Sequence, residues 1–375
     1  MFWKYTLFET KLLITNRKNW VLGLLLLLFF IVYFGHFSDS EQVSLKMQKD
    51  EESYVIDSIL NQFPESKQKT SEGEEIYQNL LEQSSLINYQ KFYLQKKQYD
   101  DYIANGLKLN DLRLRVIELE HQGIPEYLVK PKEEIMKEEA LLTYIRDNEL
   151  PLQSDPIVAN EFLIFALQAI SGVIFFTFVL IMGSELLVYE QRNRTVVNGF
   201  PISFMNKMNS KAIIYFLFIC IVLVVSVVAG GWNATNQSSL GDFSYPVLIF
   251  NNGSYEAIST IQYLLYVIGA LALTTLVILY LAILLTMIFP NAYTTILIGL
   301  SLFFISDLFL ILGMDAPIIH VMKFIDITNV ISGDLSMSLH NPEVDYGYAI
   351  IGLLLMLIAL ITIIYTINKV RYVRK

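Results

Sequence analysis

Residues 162–188 read FLIFALQAISGVIFFTFVLIMGSELLV, 27 positions holding one ionisable side chain, Glu185. A helix of that length rises about 40 Å at 1.5 Å per residue, enough to cross the roughly 30 Å hydrocarbon core of a bilayer. Five further runs read the same way: Trp20–Phe37, Ala212–Trp232, Leu264–Phe289, Tyr293–Leu312 and Ala349–Ile367. The composition agrees, with 54% hydrophobic residues among 375 and a mean hydropathy of +0.46. The expected fold class is an all-α membrane protein of six transmembrane helices. Six spans leave both termini on one side.

Basic residues near span ends choose that side. Lys4, Lys11, Arg17 and Lys18 precede the first span, Arg192, Arg194, Lys207 and Lys211 follow the second, and Lys369, Arg371, Arg374 and Lys375 end the chain. The opposite loops, 233–260 and 313–345, offer only Lys323. Both termini and the loop after span 2 are therefore expected in the cytoplasm, with the chain multi-pass in a cell membrane. Its richness in Ile, Lys and Asn suggests a bacterium.

The net charge of −9 is concentrated outside the spans. Residues 38–160 hold 24 of the 36 acidic and 14 of the 27 basic residues, leaving −10 in that segment. This pattern excludes a nucleic-acid binder. Residues 38–159 are expected to form a helical extracytoplasmic domain inserted between TM1 (19–37) and the remaining five spans (160–375). Its breaks are expected near NQFPES, ANGLKLND, QGIPEYLVKPKEE and NELPLQSDP, with a helix opening at KPKEE on a proline and acidic first turn. Leu80, Ile87 and Leu94 recur by sevens, but polar companions argue for several packed helices over a long coiled coil. The only cysteine, Cys220, lies mid-span, so no disulfide within the chain is available.

Residues 1–18 are expected to form an interfacial N-terminal helix. Tyr5, Phe8 and Leu12 make one apolar stripe and Trp3, Leu7 and Ile14 another, with Lys4, Lys11 and Lys18 between them. Asn233, Asn236 and Asn252 match the N-glycosylation pattern and are expected to be unmodified. Segment 313–340, bounded within by Pro317 and Gly333, is too short and broken to span, and reads either as an outer loop or as one or two re-entrant short helices.

No phosphate loop, HExxH, GxSxG or Cys/His metal spacing occurs, so the chain is expected to be neither an ATPase nor another enzyme, and to carry no cofactor or metal of its own. The ionisable residue deepest in a span is Asp307, a candidate for the translocation path. Loop 186–211 contains VYEQRNRTVVNGFPISFMNK at 188–207. Gly199 and Pro201 form a turn, Ser203 can cap, and Ile202, Phe204 and Met205 offer apolar contact beside Lys207 and Lys211. That order suits a short amphipathic helix docking on a separate motor.

The stretch ELLVYEQRNRTVVNGFPISFMNKMNSK (185–211) resembles the segment between spans 2 and 3 of ABC-2 type permeases, where an acidic residue, a basic residue and Thr precede a Leu-rich stretch, then Pro-Ile-Ser and a Lys. Glu190, Arg194, Thr195, Pro201, Ile202, Ser203 and Lys207 or Lys211 occupy those positions, with Arg192 beside them. Arg194 stands where a Gly commonly precedes the Thr, and VVNGF replaces the Leu-rich residues. The resemblance implies a subgroup with an extracytoplasmic domain between spans 1 and 2, an ATPase-coupling loop, partner ATPase subunits binding ATP and Mg, and a second permease copy or paralogue. It implies export by alternating access, with amphipathic or antimicrobial peptides or lipid-like envelope molecules as expected substrates. The alternative is a non-transporting receptor or scaffold resembling phage-infection proteins, which share the order of one span, an outer helical domain and five spans. An ion-coupled transporter using Asp307 is a third reading, and it lacks an evident inverted repeat.

Overall fold

The computed structural model describes residues 2–40, 44–153, 156–187, 201–312 and 320–373. Helix α1 (Phe2–Thr15) ends at Asn16, whose extended backbone and side-chain oxygen, accepting from Lys18 N at 3.0 Å, start α2 (Arg17–Asp39). Such an N-cap satisfies one of the helix's orphan N–H groups. The face of α1 turned inward is Tyr5, Glu9 and Leu13, while Trp3, Leu7 and Ile14 stay exposed. One of the two apolar stripes is thus unpacked, and the packed one contains an acid.

The inserted domain comprises α3 (Leu45–Gln62), α4 (Glu65–Gln68), α5 (Ser71–Lys96), α6 (Tyr99–Glu118) and α7 (Lys132–Asp147). Its long helices form a row in which α3 packs on α5, α5 on α6 and α6 on α7. Two apolar clusters hold it, one around Ile56, Leu80, Ile87 and Leu109, the other around Tyr102, Leu142, Ile145 and Leu152. Helix α7 begins on Pro131 with Glu133 and Glu134 in its first turn, where carboxylates favour the helix dipole.

The break expected at ANGLKLND is absent. Helix α6 runs through it, and the turn lies earlier, at Lys97, which takes φ 57° as Gln98 N donates back to Tyr93 O at 3.0 Å. Gly106 does not end a helix because its role is close approach: a Cβ there would lie 2.6 Å from Leu142 Cδ1 on α7.

The run at 162–188 is also not one straight helix. It divides into α8 (Ala159–Ile170) and α9 (Val173–Gly183), bent by 61° at Ser171–Gly172. Gly172 has φ 72° and ψ −126°, a conformation essentially restricted to glycine. A helical backbone cannot pass through it.

Helix α10 (Phe204–Gln237) packs along α2 and contacts α1. After it comes a hairpin, β1 (Pro246–Asn251) and β2 (Ser254–Ser259), with Asn251 opposite Ser254. The two-residue turn Asn252–Gly253 has φ of 48° and 79°, as a primed hairpin turn demands. What reads as a possible glycosylation match at Asn252 is thus a turn signal. The hairpin docks on α7, where Tyr255 OH donates to Glu133 Oε1 at 2.8 Å and Lys137 Nζ sits 4.5 Å from the Tyr255 ring centre. Asn233 serves packing, donating to Ile31 O at 3.2 Å.

Helices α11 (Thr260–Ile288), α12 (Ala292–Ile311) and α15 (Tyr346–Val373) complete the long apolar elements. With α2 and α10 they make, among the described residues, five helices of spanning length, and the bent pair supplies a sixth crossing if counted as one span. Between α12 and α15 lie a 3-10 turn (Val321–Ile325), α13 (Ile327–Ile331) and α14 (Asp334–Ser338), the last beginning at Gly333 with φ 84°. These short pieces bury Phe324, Ile325, Ile327 and Val330 and pack against α11 and α15. Pro317 lies outside the described residues.

Candidate functional site where the second and third spans meet

The chain leaves α9 through the turn 184–187 and, among the described residues, resumes at Pro201. Ser203 is the N-cap of α10, its hydroxyl accepting from Asn206 N at 3.3 Å, so Phe204, Met205, Lys207 and Lys211 belong to the first turns of a 34-residue helix. The separate short amphipathic helix expected over GFPISFMNKMNSK is therefore not found among the described residues; its C-terminal part is the base of span 3. Pro201 and Ser203 are exposed and Ile202 partly so. Glu190, Arg192, Arg194, Thr195 and Gly199 lie outside the described residues.

Lys211 is not a surface residue. Its Nζ lies 3.3 Å from Glu9 Oε1 and 2.8 Å from Leu186 O, and the two charged side chains are only 2% and 5% exposed. Lys18 repeats the arrangement from α2, with Nζ 3.2 Å from Glu185 Oε2 and 2.9 Å from Ile181 O. The last carbonyls of a helix have no partner within it and carry its negative dipole end. Two lysines from two other helices thus cap the end of α9 and the turn after it. Further bonds close the knot: Thr6 Oγ1 and Ser210 Oγ at 2.9 Å, Asn16 Nδ2 to Glu185 Oε2 at 3.4 Å, and Tyr280 OH to Asn209 Oδ1 at 3.0 Å. Lys207 is likewise buried.

The arrangement joins α1, α2, α9 and α10 at the point from which the loop departs. Among the described residues it pairs Lys211 with Glu9 and Lys18 with Glu185, each lysine also reaching a carbonyl of α9 or of the turn after it. Sequence reasoning identified Lys211 and Glu185 but passed over Glu9 and the pairing role of Lys18. Glu9 is the sole acidic residue before Asp39, and that isolation was the available signal.

Asp307 is brought to a different place. Its Oδ1 lies 2.7 Å from Lys323 Nζ, with the carboxylate half exposed, so it fastens α12 to the 3-10 turn. Asp326, next along that segment, occupies the bend of the second span. A Cβ on Gly172 would lie 2.5 Å from Asp326 Oδ2, and the same carboxylate accepts from Thr328 Oγ1 at 3.1 Å and Asn329 Nδ2 at 2.8 Å. No group of three or more His, Cys, Asp or Glu side chains that could hold a metal occurs among the described residues.

A family model described as ABC-2 family transporter protein matches residues 7–372, nearly the whole chain. The chain belongs to the ABC-2 transporter family. It is the membrane-embedded permease component of an ABC transporter, a multi-pass protein, and permeases of this family work with ABC ATPases. No curated protein and no solved structure matches the chain.

Proposed function

We propose that this permease is an exporter of amphipathic molecules, peptides or lipid-like envelope components, and that separate ATPase subunits drive it by pushing on loop 186–211 and on α1. The observation that carries this reading is the buried Glu9–Lys211 pair with its bond to Leu186 O. A loop whose exit and re-entry are tied to one another and to α1 moves them together, so a displacement at the loop is delivered to two spans and the N-terminal helix as one rigid unit.

Glu190, Arg192, Arg194, Thr195, Pro201, Ile202 and Ser203 form the ATPase-facing part in this reading. Lys211 and Lys207 act behind them as positioning residues, since their burial keeps them from direct contact. In this reading the exposed Trp3, Leu7 and Ile14 rest in the headgroup region and α1 lies along the membrane beside the motor, which their exposure supports. Two permeases, identical or paralogous, assemble with two ATPases that bind the ATP and Mg. We read Asp307 as a clamp on the re-entrant segment, because its charge is already paired.

The test is copurification with ABC ATPase subunits of the same cell, comparing wild type with Glu190→Ala and Pro201→Ala. We expect weaker assembly, or ATP hydrolysis that no longer responds to the permease. Unchanged assembly together with unchanged hydrolysis would remove the coupling role.

A further inference from the structure

The hairpin is a sheet of two strands, so among the described residues β2 has a strand partner on one side only. Asn251 and Ser254 flank the two-residue turn, and Thr260 N donates to Tyr245 O at 2.9 Å, which fixes the phase of the ladder. Ser254, Glu256 and Ile258 turn their backbone groups toward β1, and Tyr255, Ala257 and Ser259 turn theirs away. Ser259 N is taken by Gln262 Oε1 at 3.2 Å in the cap of α11. The N–H and C=O groups of Tyr255 and Ala257 have no partner among the described residues. A free edge of this kind is a template for another strand, and proteins blunt such edges with lysine, proline or a bulge. The strand reads SYEAIS, with no lysine or proline, and its register is continuous.

That edge borders a groove of about 570 Å³ whose other wall is α7. Met136, Ala140, Thr143 and Asp147 recur by threes and fours on the helix and so share one stripe, facing Tyr255 and Ala257. A strand edge and a helix on either side of a groove can take up an extended peptide by strand addition, where backbone bonds give affinity and alternate side chains give specificity. The charge of the groove has one sign. Glu139, Asp147 and Glu256 line it, and no Lys, Arg or His does. Two neighbouring cations are already paired, Arg146 Nε at 2.9 Å from Asp147 Oδ1 and Lys137 Nζ at 2.6 Å from Glu133 Oε1. Glu139 and Glu256 are left in no ion pair among the described residues, and Glu256 accepts only from the neutral Asn251 Nδ2, at 3.1 Å. A second copy of the chain is a poor occupant, because antiparallel pairing of two β2 edges through Tyr255 and Ala257 sets Glu256 against Glu256.

We infer that this groove binds an extended, basic peptide segment as a third strand on β2, its backbone paired with Tyr255 and Ala257 and its cationic side chains against Glu139 and Glu256. Within the export reading this narrows the substrate class to basic peptides that can extend. That such a peptide is cargo rests on that reading, whereas the groove's ligand does not.

The test uses the full chain in phosphatidylcholine nanodiscs, a surface without net charge, with a fluorescein-labelled Lys-Val-Lys-Val-Lys-Val peptide read by anisotropy. A copy N-methylated at every residue cannot donate to a strand edge and should bind roughly tenfold more weakly or worse, as should Glu-Val-Glu-Val-Glu-Val. With a diazirine-bearing leucine in place of one valine, label is expected in segments 136–148 and 254–259. Ala257→Pro removes one outward N–H, a change an edge tolerates, and leaves the bonds to β1 in place. Glu139→Lys with Glu256→Lys reverses the two unpaired charges without altering a buried group. Each variant should lower affinity roughly tenfold. Equal binding of the N-methylated or the acidic peptide, label confined to other segments, or wild-type affinity in either variant would overturn the inference. Binding that persists while the same peptide leaves ATP hydrolysis by the assembled transporter unchanged would instead overturn the export reading for such peptides alone.

Discussion

Lys211 has exchanged water for one carboxylate and one carbonyl, and this makes it the residue on which the junction most depends. Replacing it with Met leaves Glu9 buried without a counter-charge, which costs about 3–5 kcal/mol. The paired replacement Glu9→Leu with Lys211→Met removes both charges and is expected to recover most of that loss. Thermal unfolding of the two purified variants in detergent measures the difference, and a double variant no more stable than the single one would contradict the pairing. In the sequence Lys211 stood out only as a lysine of the segment resembling the family pattern. Its role was not legible, because the partner lies 202 positions earlier and no local rule joins them. Asp307 shows the same limit: a lone acid in an apolar run invites a path role, and only the fold brings Lys323 within 2.7 Å.

At the scale of elements, apolar runs became helices almost wherever expected, and the exceptions share one cause. A glycine can interrupt a helix or admit a neighbour, and composition does not say which. Gly106 admits Leu142 and Gly172 breaks the second span, although both are single glycines in otherwise helical stretches. Gly172→Ala is expected to destabilise the protein by about 1–3 kcal/mol through its backbone conformation, with Asp326 forced aside in addition. Adding Asp326→Ala should relieve the second part and leave the first. Thermal unfolding separates the two, and an unaltered midpoint for Gly172→Ala would mean the bend is not required. The hairpin at 246–259 was readable from its Asn-Gly turn, yet short polar residues around it drew the reading toward a loop.

Across the whole molecule, α2 separates the inserted domain from the junction by about 35 Å, the rise of its 23 residues. Stability is distributed differently at the two ends. In the inserted domain, burial pushes the Glu52 carboxyl up, but Lys49, Arg113 and Lys130 together outweigh it and hold the group down at about 2. Glu138 is lowered against burial by the same cations. A depressed carboxyl contributes stability that is complete above its unfolded value and is lost as pH falls toward the folded one. Hydrogen exchange on the reconstituted chain should therefore show α3 and α7 losing protection between about pH 4.5 and 2 while α10 and α11 keep theirs. Loss of protection above pH 5, or none by pH 2, would contradict the assignment.

The sequence by itself determined the class of molecule. A bilayer admits only backbone whose polar groups are internally satisfied, and it demands about 20 apolar residues per crossing, so long apolar runs leave little choice but membrane helices. The sequence also carries no glycine-rich phosphate loop of the GxxxxGK[ST] kind, and the expectation of a separate motor rests on that. Tertiary structure alone decided which charges pair, where the second span bends, and that Lys49, Arg113 and Lys130 meet Glu52 and Glu138 between α3 and α7. These depend on side chains separated by tens to hundreds of positions, and distance along the chain carries no record of distance in space.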